Sequence, residues 1–256
     1  MILRSDDAVI GDVHYWSGGR FQIEQLNETP GNLLSKYDPI VRSIGDVSFL
    51  GYQGTSLHIL SGGSVEVGTI IITEPDTIGG SINPVSEPEL SNVTLSNNTS
   101  VVIDGSAQPT LDIRAGMNLS DNGTHLGTSV NQYPDNQFFD STFSDILPPV
   151  NSPNAAGADI TIGDVFIAAP AGLVYLTNNY GDISSQEGDI TITGSGLFGR
   201  SRRQGDGIDA RAFGGVGSDV ILDARRNITL DGSFIDTSSY VSTGGNVTLL
   251  AGNNIT

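Results

Sequence analysis

Val220-Ile221-Leu222-Asp223-Ala224-Arg225-Arg226-Asn227-Ile228-Thr229 is followed, 27 positions on, by Val247-Thr248-Leu249-Leu250-Ala251-Gly252-Asn253-Asn254-Ile255-Thr256. Val220, Leu222, Ala224, Asn227, Ile228 and Thr229 match Val247, Leu249, Ala251, Asn254, Ile255 and Thr256 pair by pair. Each copy reads as an apolar-x-apolar strand, a small residue, a short polar turn and a second strand opened by Asn. Alternating apolar residues signal a strand with one buried face. Self-similarity at a fixed period of about 20 to 50 residues marks a chain built by stacking one supersecondary unit.

Four shorter segments extend the pattern upstream: Asp159-Ile160-Thr161-Ile162, Asp189-Ile190-Thr191-Ile192, Asp219-Val220-Ile221-Leu222 and Asn246-Val247-Thr248-Leu249, at offsets of 30, 30 and 27. They are read as one column of equivalent strands. Leu57-His58-Ile59-Leu60-Ser61-Gly62 and Leu111-Asp112-Ile113-Arg114-Ala115-Gly116 share the form apolar-x-apolar-x-small-Gly.

Composition agrees with many short strands and turns: 256 residues with 33 Gly, 11 Pro and 16% charged residues, and hardly any helix-period run. A coil of about 27 to 30 residues holds about three strands of 4 to 6 residues. Such coils stacked at about 4.8 Å hydrogen-bond strand to strand, with apolar side chains in inward columns. The expected fold is therefore all-β, a right-handed parallel β-helix, or β-solenoid, over residues 1–256, its hand following the crossover rule. Asn227 and Asn254 are expected inward at equivalent bends, as an amide ladder that holds the turn. A propeller would need blades of about 40 to 50 residues with a Trp-Asp signature, and Trp16 is the sole Trp. A sandwich does not explain the 27-residue self-match.

Two stretches break the repeat and are expected to leave the coil as protruding loops, near 74–90 and 121–157. Both are rich in turn formers, including Glu74-Pro75-Asp76, Asn83-Pro84, Tyr133-Pro134-Asp135 and Pro148-Pro149. Loops on a solenoid are the usual place for recognition. Phe138, Phe139 and Phe143 in the second loop are candidate partner contacts or rings that fold back on the prism. Arg200, Arg202 and Arg203 form the basic cluster, to engage an acidic ligand or to pair with Asp206 and Asp209.

A net charge of -18 and a pI near 4.1 argue against nucleic acid or anionic lipid as a partner of the bulk surface. No stretch is apolar for 18 residues, so no membrane span is expected. Zero cysteines exclude disulfides and thiol chemistry. Gly205-Asp206-Gly207-Ile208-Asp209 resembles one calcium nonapeptide, but such motifs bind by repeating, so no metal or cofactor is expected. Met1-Ile2-Leu3-Arg4-Ser5-Asp6-Asp7 lacks a signal-peptide pattern, and the final residues break off within a repeat. The chain is thus expected to be an internal piece of a larger protein or a truncated reading frame.

Catalysis would need paired carboxylates about 5 to 9.5 Å apart. Asp6-Asp7 lies at the start of the chain, and His14, His58 and His125 are isolated in sequence. His58 alternates with Leu57 and Ile59, which points it outward. The stretch Arg203 to Asp209 alone combines a base with clustered Asp, so no catalytic residue is assigned. Asn-x-Ser/Thr sequons such as Asn92-Val93-Thr94, Asn227-Ile228-Thr229 and Asn246-Val247-Thr248 arise as by-products of the repeat.

Gly51-Tyr52-Gln53-Gly54-Thr55-Ser56-Leu57-His58-Ile59-Leu60-Ser61-Gly62-Gly63-Ser64-Val65, with Val102-Ile103-Asp104-Gly105 and the Leu111 segment, resembles the filamentous haemagglutinin-like exoproteins of cyanobacteria. The Val220 to Leu230 repeat is similar to the same group. The resemblance implies a secreted or cell-surface β-helix with an adhesive or structural role. It also implies an outer-membrane two-partner secretion transporter as partner of the full-length protein, and a surface glycan or protein ligand of unspecified identity. That family's N-terminal secretion domain, with its Asn-Pro-Asn-Gly type motifs, is not in this sequence, and it supplies no catalytic residues. The alternatives are a carbohydrate-active β-helix enzyme, lyase or hydrolase, and a non-functional remnant.

Overall fold

The computed structural model describes residues 1–11, 14–37, 39–78, 81–117, 119, 158–179, 188–194 and 207–256. The first coil holds β1 (Ile2–Ser5), β2 (Val9–Ile10) and β3 (Tyr15–Ser17); the second holds β4 (Phe21–Gln25), β5 (Asn32–Ser35) and β6 (Ile40–Ser43). The third is β7 (Val47–Gly54) and β8 (Leu57–Ser61). The fourth starts with β9 (Val65–Ile72), makes an excursion through α1 (Pro88–Ser91), β10 (Asn92–Thr94) and β11 (Ser100–Val102), and resumes at β12 (Thr110–Arg114). Then come β13 (Ile160–Ile167) and β14 (Leu173–Thr177); β15 (Ile190–Ile192), β16 (Gly207–Asp209) and β17 (Asp219–Ala224); and β18 (Ile228–Leu230), β19 (Phe234–Asp236) and β20 (Val247–Ala251).

All pairings between coils are parallel, in two sheets. The smaller sheet runs β3-β6-β8-β12-β14-β17-β20. The larger sheet is two rows, because β7, β9 and β13 each span both: β7 pairs with β4 and β5 on one side, and β13 with β15 and β16 on the other. Val47, Val65 and Ile160 align in the first row, and Tyr52, Ile70 and Val165 in the second. The register skips Leu50, Gly68 and Gly163, and this is where the sheet bends. Three rows give three strand segments per coil, as the sequence predicts, and both sheets share one core.

That core is made of columns. Val47, Val65, Ile160, Ile190 and Ile228 stack in register along the first row and are at most 1% exposed. Each such side chain contributes about 1.5 to 3 kcal/mol by leaving water. The two segments of shared form stack in the structure: Leu111, Asp112, Ile113 and Arg114 pair with Leu57, His58, Ile59 and Leu60.

The four segments opened by Asp159, Asp189, Asp219 and Asn246 do not form one column. Ile160 pairs with Ile190 in the larger sheet, whereas Val220 pairs with Val247 in the smaller. The interval of 30 from Asp189 to Asp219 crosses from one row to another within a coil. The strand stacked on Ile190 starts at Ile228. Every row needs the same apolar-x-apolar alternation, so a tetrapeptide cannot show which row it serves. The 27-residue match is a true coil step, joining Val220 to Val247 and Ile228 to Ile255. Coil length otherwise varies with the insertions; Val47 and Val65 are only 18 positions apart.

The opening acid of these segments caps the next coil. Asp46 Oδ1 accepts from Ser64 N (2.9 Å) and Ser64 Oγ from Asp159 N (3.0 Å). Asp159 Oδ1 accepts from Gly188 N (2.7 Å) and Asp189 N (2.9 Å). Asp189 Oδ1 accepts from Asn227 N (3.2 Å) and Asn227 Nδ2 (2.8 Å), and Asn227 Oδ1 from Asn254 Nδ2 (3.3 Å). The expected Asn227–Asn254 amide contact is present, but at the surface rather than inward: Asn254 is exposed and Asn227 half-buried. The strand-opening N–H groups lie at the corner, and Ile228 takes the inward place. Replacing Asp189 with Ala removes two bonds to a carboxylate and should cost about 1.5 to 3 kcal/mol. Exposed Asp231→Ala should change stability by less than about 0.5 kcal/mol. Urea midpoints of the two variants read the difference.

The first loop leaves the coil after Ile72 and returns at Thr110. It does not project but lies along the outer face of the smaller sheet. Its antiparallel β10–β11 hairpin and flanks bring Ile82, Leu90, Val93, Leu95 and Ile103 onto Ile40, Leu60, Leu173 and Tyr175, all 0–5% exposed. We call residues 73–109 the strap. The second loop, 121–157, lies outside the described residues.

Candidate functional site

Three arrangements of polar side chains are chemically notable, and the first lies under the strap. Asp112 and Arg114 are two apart on β12, hence on one side of the strand, and His58 sits beside Asp112 in register on β8. His58 Nδ1 is 3.0 Å from Asp112 Oδ2. Arg114 donates from Nε to Asp112 Oδ1 and from Nη2 to Asp112 Oδ2, each at 2.8 Å. Arg114 Nη2 also donates to Leu90 O of the strap (2.7 Å), and its guanidinium carbon is 5.8 Å from the Tyr175 ring centroid. Burial alone would raise the Asp112 carboxyl, but Arg114 and the hydrogen bonds from His58 and Arg114 together hold it below the usual carboxylate range. Nearby, Arg42 Nη2 lies 3.4 Å from Glu87 Oε1 of the strap. Burial pushes Glu87 up, with Arg42 opposing.

His58, Asp112 and Arg114 are 0–2% exposed. His58 points outward, as its alternation predicts, but the strap seals it from solvent. A His–Asp pair of this geometry can hold a proton and orient an imidazole, yet closed in this way it anchors the strap rather than meeting a substrate. Sequence reading treated His58 as isolated and passed over Arg42, Asp112 and Arg114. The signal was available, because aligning Leu57 with Leu111 sets His58 beside Asp112.

The second arrangement is on the outer side of the larger sheet, where Asp209 and Asp236 stand in register on adjacent coils. Arg211 donates to both Asp209 oxygens (2.8 and 2.6 Å) and its Nε is 3.5 Å from Asp236 Oδ2. The hydrogen bond to Asp209 leads in raising the guanidinium above its ordinary value, against burial. Asp209 is 2% exposed, while the Asp236 side chain is 32% exposed. Beside them the rings of Phe213 and Tyr240 stack at 5.1 Å and 7°, both mostly exposed. Asp209 therefore has a second carboxylate at hand, which the sequence did not bring together.

The third is a shallow groove of about 400 Å³ on the second row, lined by Asn32, Leu34, Leu50, Gly51, Gln53 and Thr69 among others. Gly51 stands between Asn32 and Thr69 in one column, where an added Cβ would lie 2.9 Å from Thr69 O and 3.0 Å from Asn32 Oδ1.

Phe138, Phe139, Phe143, Arg200, Arg202, Arg203 and Asp206 lie outside the described residues. Among the described residues no group of three or more His, Cys, Asp or Glu is placed to hold a metal ion, and no helix is long and apolar enough to cross a membrane. Comparison of the chain with known protein families, with curated proteins and with solved structures returned no match.

Proposed function

We propose that this chain is a non-catalytic structural and adhesive segment of a filamentous haemagglutinin-like exoprotein, exported by two-partner secretion and displayed at the cell surface. The observation that carries the reading is the regular parallel stack with its corner ladder from Asp46 to Asn254, an architecture that suits a spacer presenting lateral surfaces. The resemblance around Tyr52 to Val65 supports it, since that stretch supplies the second row of β7, all of β8 and the turn into β9. The outer-membrane transporter serves the full-length protein, and the surface ligand is a glycan or a protein. Limited protease treatment of intact source cells should remove the chain while cytosolic markers persist. Beads coated with the purified chain should adhere to cells or to immobilised glycans above an albumin control. A chain found only inside intact cells, or beads no stickier than albumin, would sink this reading.

A second reading, a carbohydrate-active enzyme, is favoured by one observation: Asp209 and Asp236 on adjacent coils, the arrangement from which a β-helix assembles an acid pair. The bidentate hold of Arg211 on Asp209 weighs against it, because both Asp209 oxygens are already taken by the guanidinium and the residue is 2% exposed. On a panel of polysaccharides the chain should release no reducing ends above buffer. Release that disappears in Asp236→Asn would establish the enzyme instead.

A further inference from the structure

A solenoid is held together by contacts between neighbouring coils, and its stability is close to a sum of nearest-neighbour terms. The strap departs from that rule. It starts and ends in the fourth coil, yet Glu87 reaches Arg42 of the second coil (3.4 Å). In the other direction Ser96 reaches Asp223 of the sixth, through Ser96 N to Asp223 Oδ2 (2.9 Å) and Ser96 Oγ to Asp223 Oδ1 (2.6 Å). Between these ends Leu90 O accepts from Arg114, and Gly105 O accepts from Ser56 Oγ (2.8 Å) of the third coil. The apolar underside covers Ile40, Leu60 and Tyr175, which belong to the second, third and fifth coils. One segment thus grips five successive coils, a span of about 19 Å at the usual strand spacing.

We infer that the strap is a clamp that makes the second to sixth coils open as one cooperative unit, so that the rod frays outside the clamp and not within it. Both anchors are charged groups buried on the sheet side, Arg42 at 1% and Asp223 at 1% exposure, and each takes a hydrogen bond with the strap. Lifting one end breaks these charge-assisted bonds and exposes the apolar underside of the strap. Coupling of this kind is a two-ended property. Loosening one anchor must weaken protection at the other, where no local contact has changed. The inference does not depend on the adhesive reading, since it concerns how the rod opens, whatever it carries.

Native-state hydrogen exchange of the full chain, read by mass spectrometry, tests it. In the unmodified chain the amides of β6, β8, β12, β14 and β17 should exchange at similar slow rates, with β20 faster. Ser96→Ala, at an exposed position of the strap, should speed exchange in β6 about as much as in β17, by roughly three- to tenfold. Glu87→Gln should do the reverse, speeding β17 as well as β6. Circular dichroism of both variants checks that the coils remain folded. If each variant changes only the strand it touches, or if neither changes any, the clamp is wrong and the strap is merely a cover.

Discussion

Gly163→Val should be among the most damaging single substitutions in the rod, lowering stability by about 3 kcal/mol, the upper end of overpacking costs. Gly163 is buried at the bend of β13, where pairing passes from Ile162 with Val67 to Asp164 with Thr69. A Cβ placed there would lie 2.5 Å from Gly68 O and 2.9 Å from Gly68 C. Those atoms are backbone and cannot swing away. The Gly68 backbone is itself hemmed in by the coil before, since a Cβ added to Gly68 would collide with Leu50 O. On the other side Gly194 N donates to Gly163 O (3.1 Å), so a shift would also strain the next coil. Gly214 is the control: nothing lies within 4 Å of a Cβ added to it, so Gly214→Ala should stay within about 0.5 kcal/mol of the parent. Urea unfolding followed by far-ultraviolet circular dichroism gives both numbers. Coincident midpoints for Gly163→Val and the parent would show that the bend has room the geometry does not provide.

The bend also shows what sequence could and could not tell. Alternation, turn residues and the 27-residue match made the stacked parallel coil legible, and the shared form of the Leu57 and Leu111 segments marked them as copies of one unit, which the structure pairs. Assignment to a row was not legible. Val220 and Ile190 obey the same alternation, and only the chain path separates the sheets they join. The strap was legible only as an interruption. Leu90, Val93 and Leu95 are apolar for a reason outside their own coil, since they cover outward residues that a bare solenoid would leave in water. For the same reason His58, Asp112 and Arg114 looked like ordinary surface residues. Their outward direction was predictable from β12 and β8 alone, but their burial depends on a segment that crosses over them. The Asp209–Asp236 pair escaped because the 27-residue step was applied only to the Val220 and Ile228 segments; carried to Asp209 it sets the two acids side by side.

Asp112→Ala should cost about 3 to 5 kcal/mol at neutral pH, the usual penalty for removing one partner of a buried ion pair. The substitution leaves the Arg114 guanidinium at 2% exposure without its carboxylate, and takes the acceptor from His58. Leu90 O remains to Arg114, but one carbonyl does not neutralise a cation. The pH dependence separates this account from simple loss of packing. In the folded chain the Asp112 carboxyl titrates below its ordinary value of 3.8, so its charge stabilises the fold at all pH values above about 3.8. That contribution fades as pH falls from there through the folded-state value. The stability gap between the parent and Asp112→Asn should therefore narrow as pH falls below about 4. Replacing all three groups together, as His58→Leu, Asp112→Leu and Arg114→Met, should recover much of the loss, since an apolar set of similar volume needs no desolvated charge. Thermal unfolding across this pH range measures each quantity. A gap between parent and Asp112→Asn that stays fixed to pH 3, or a triple variant no better than Asp112→Ala, would mean that packing under the strap, and not the ion pair, holds this part of the rod.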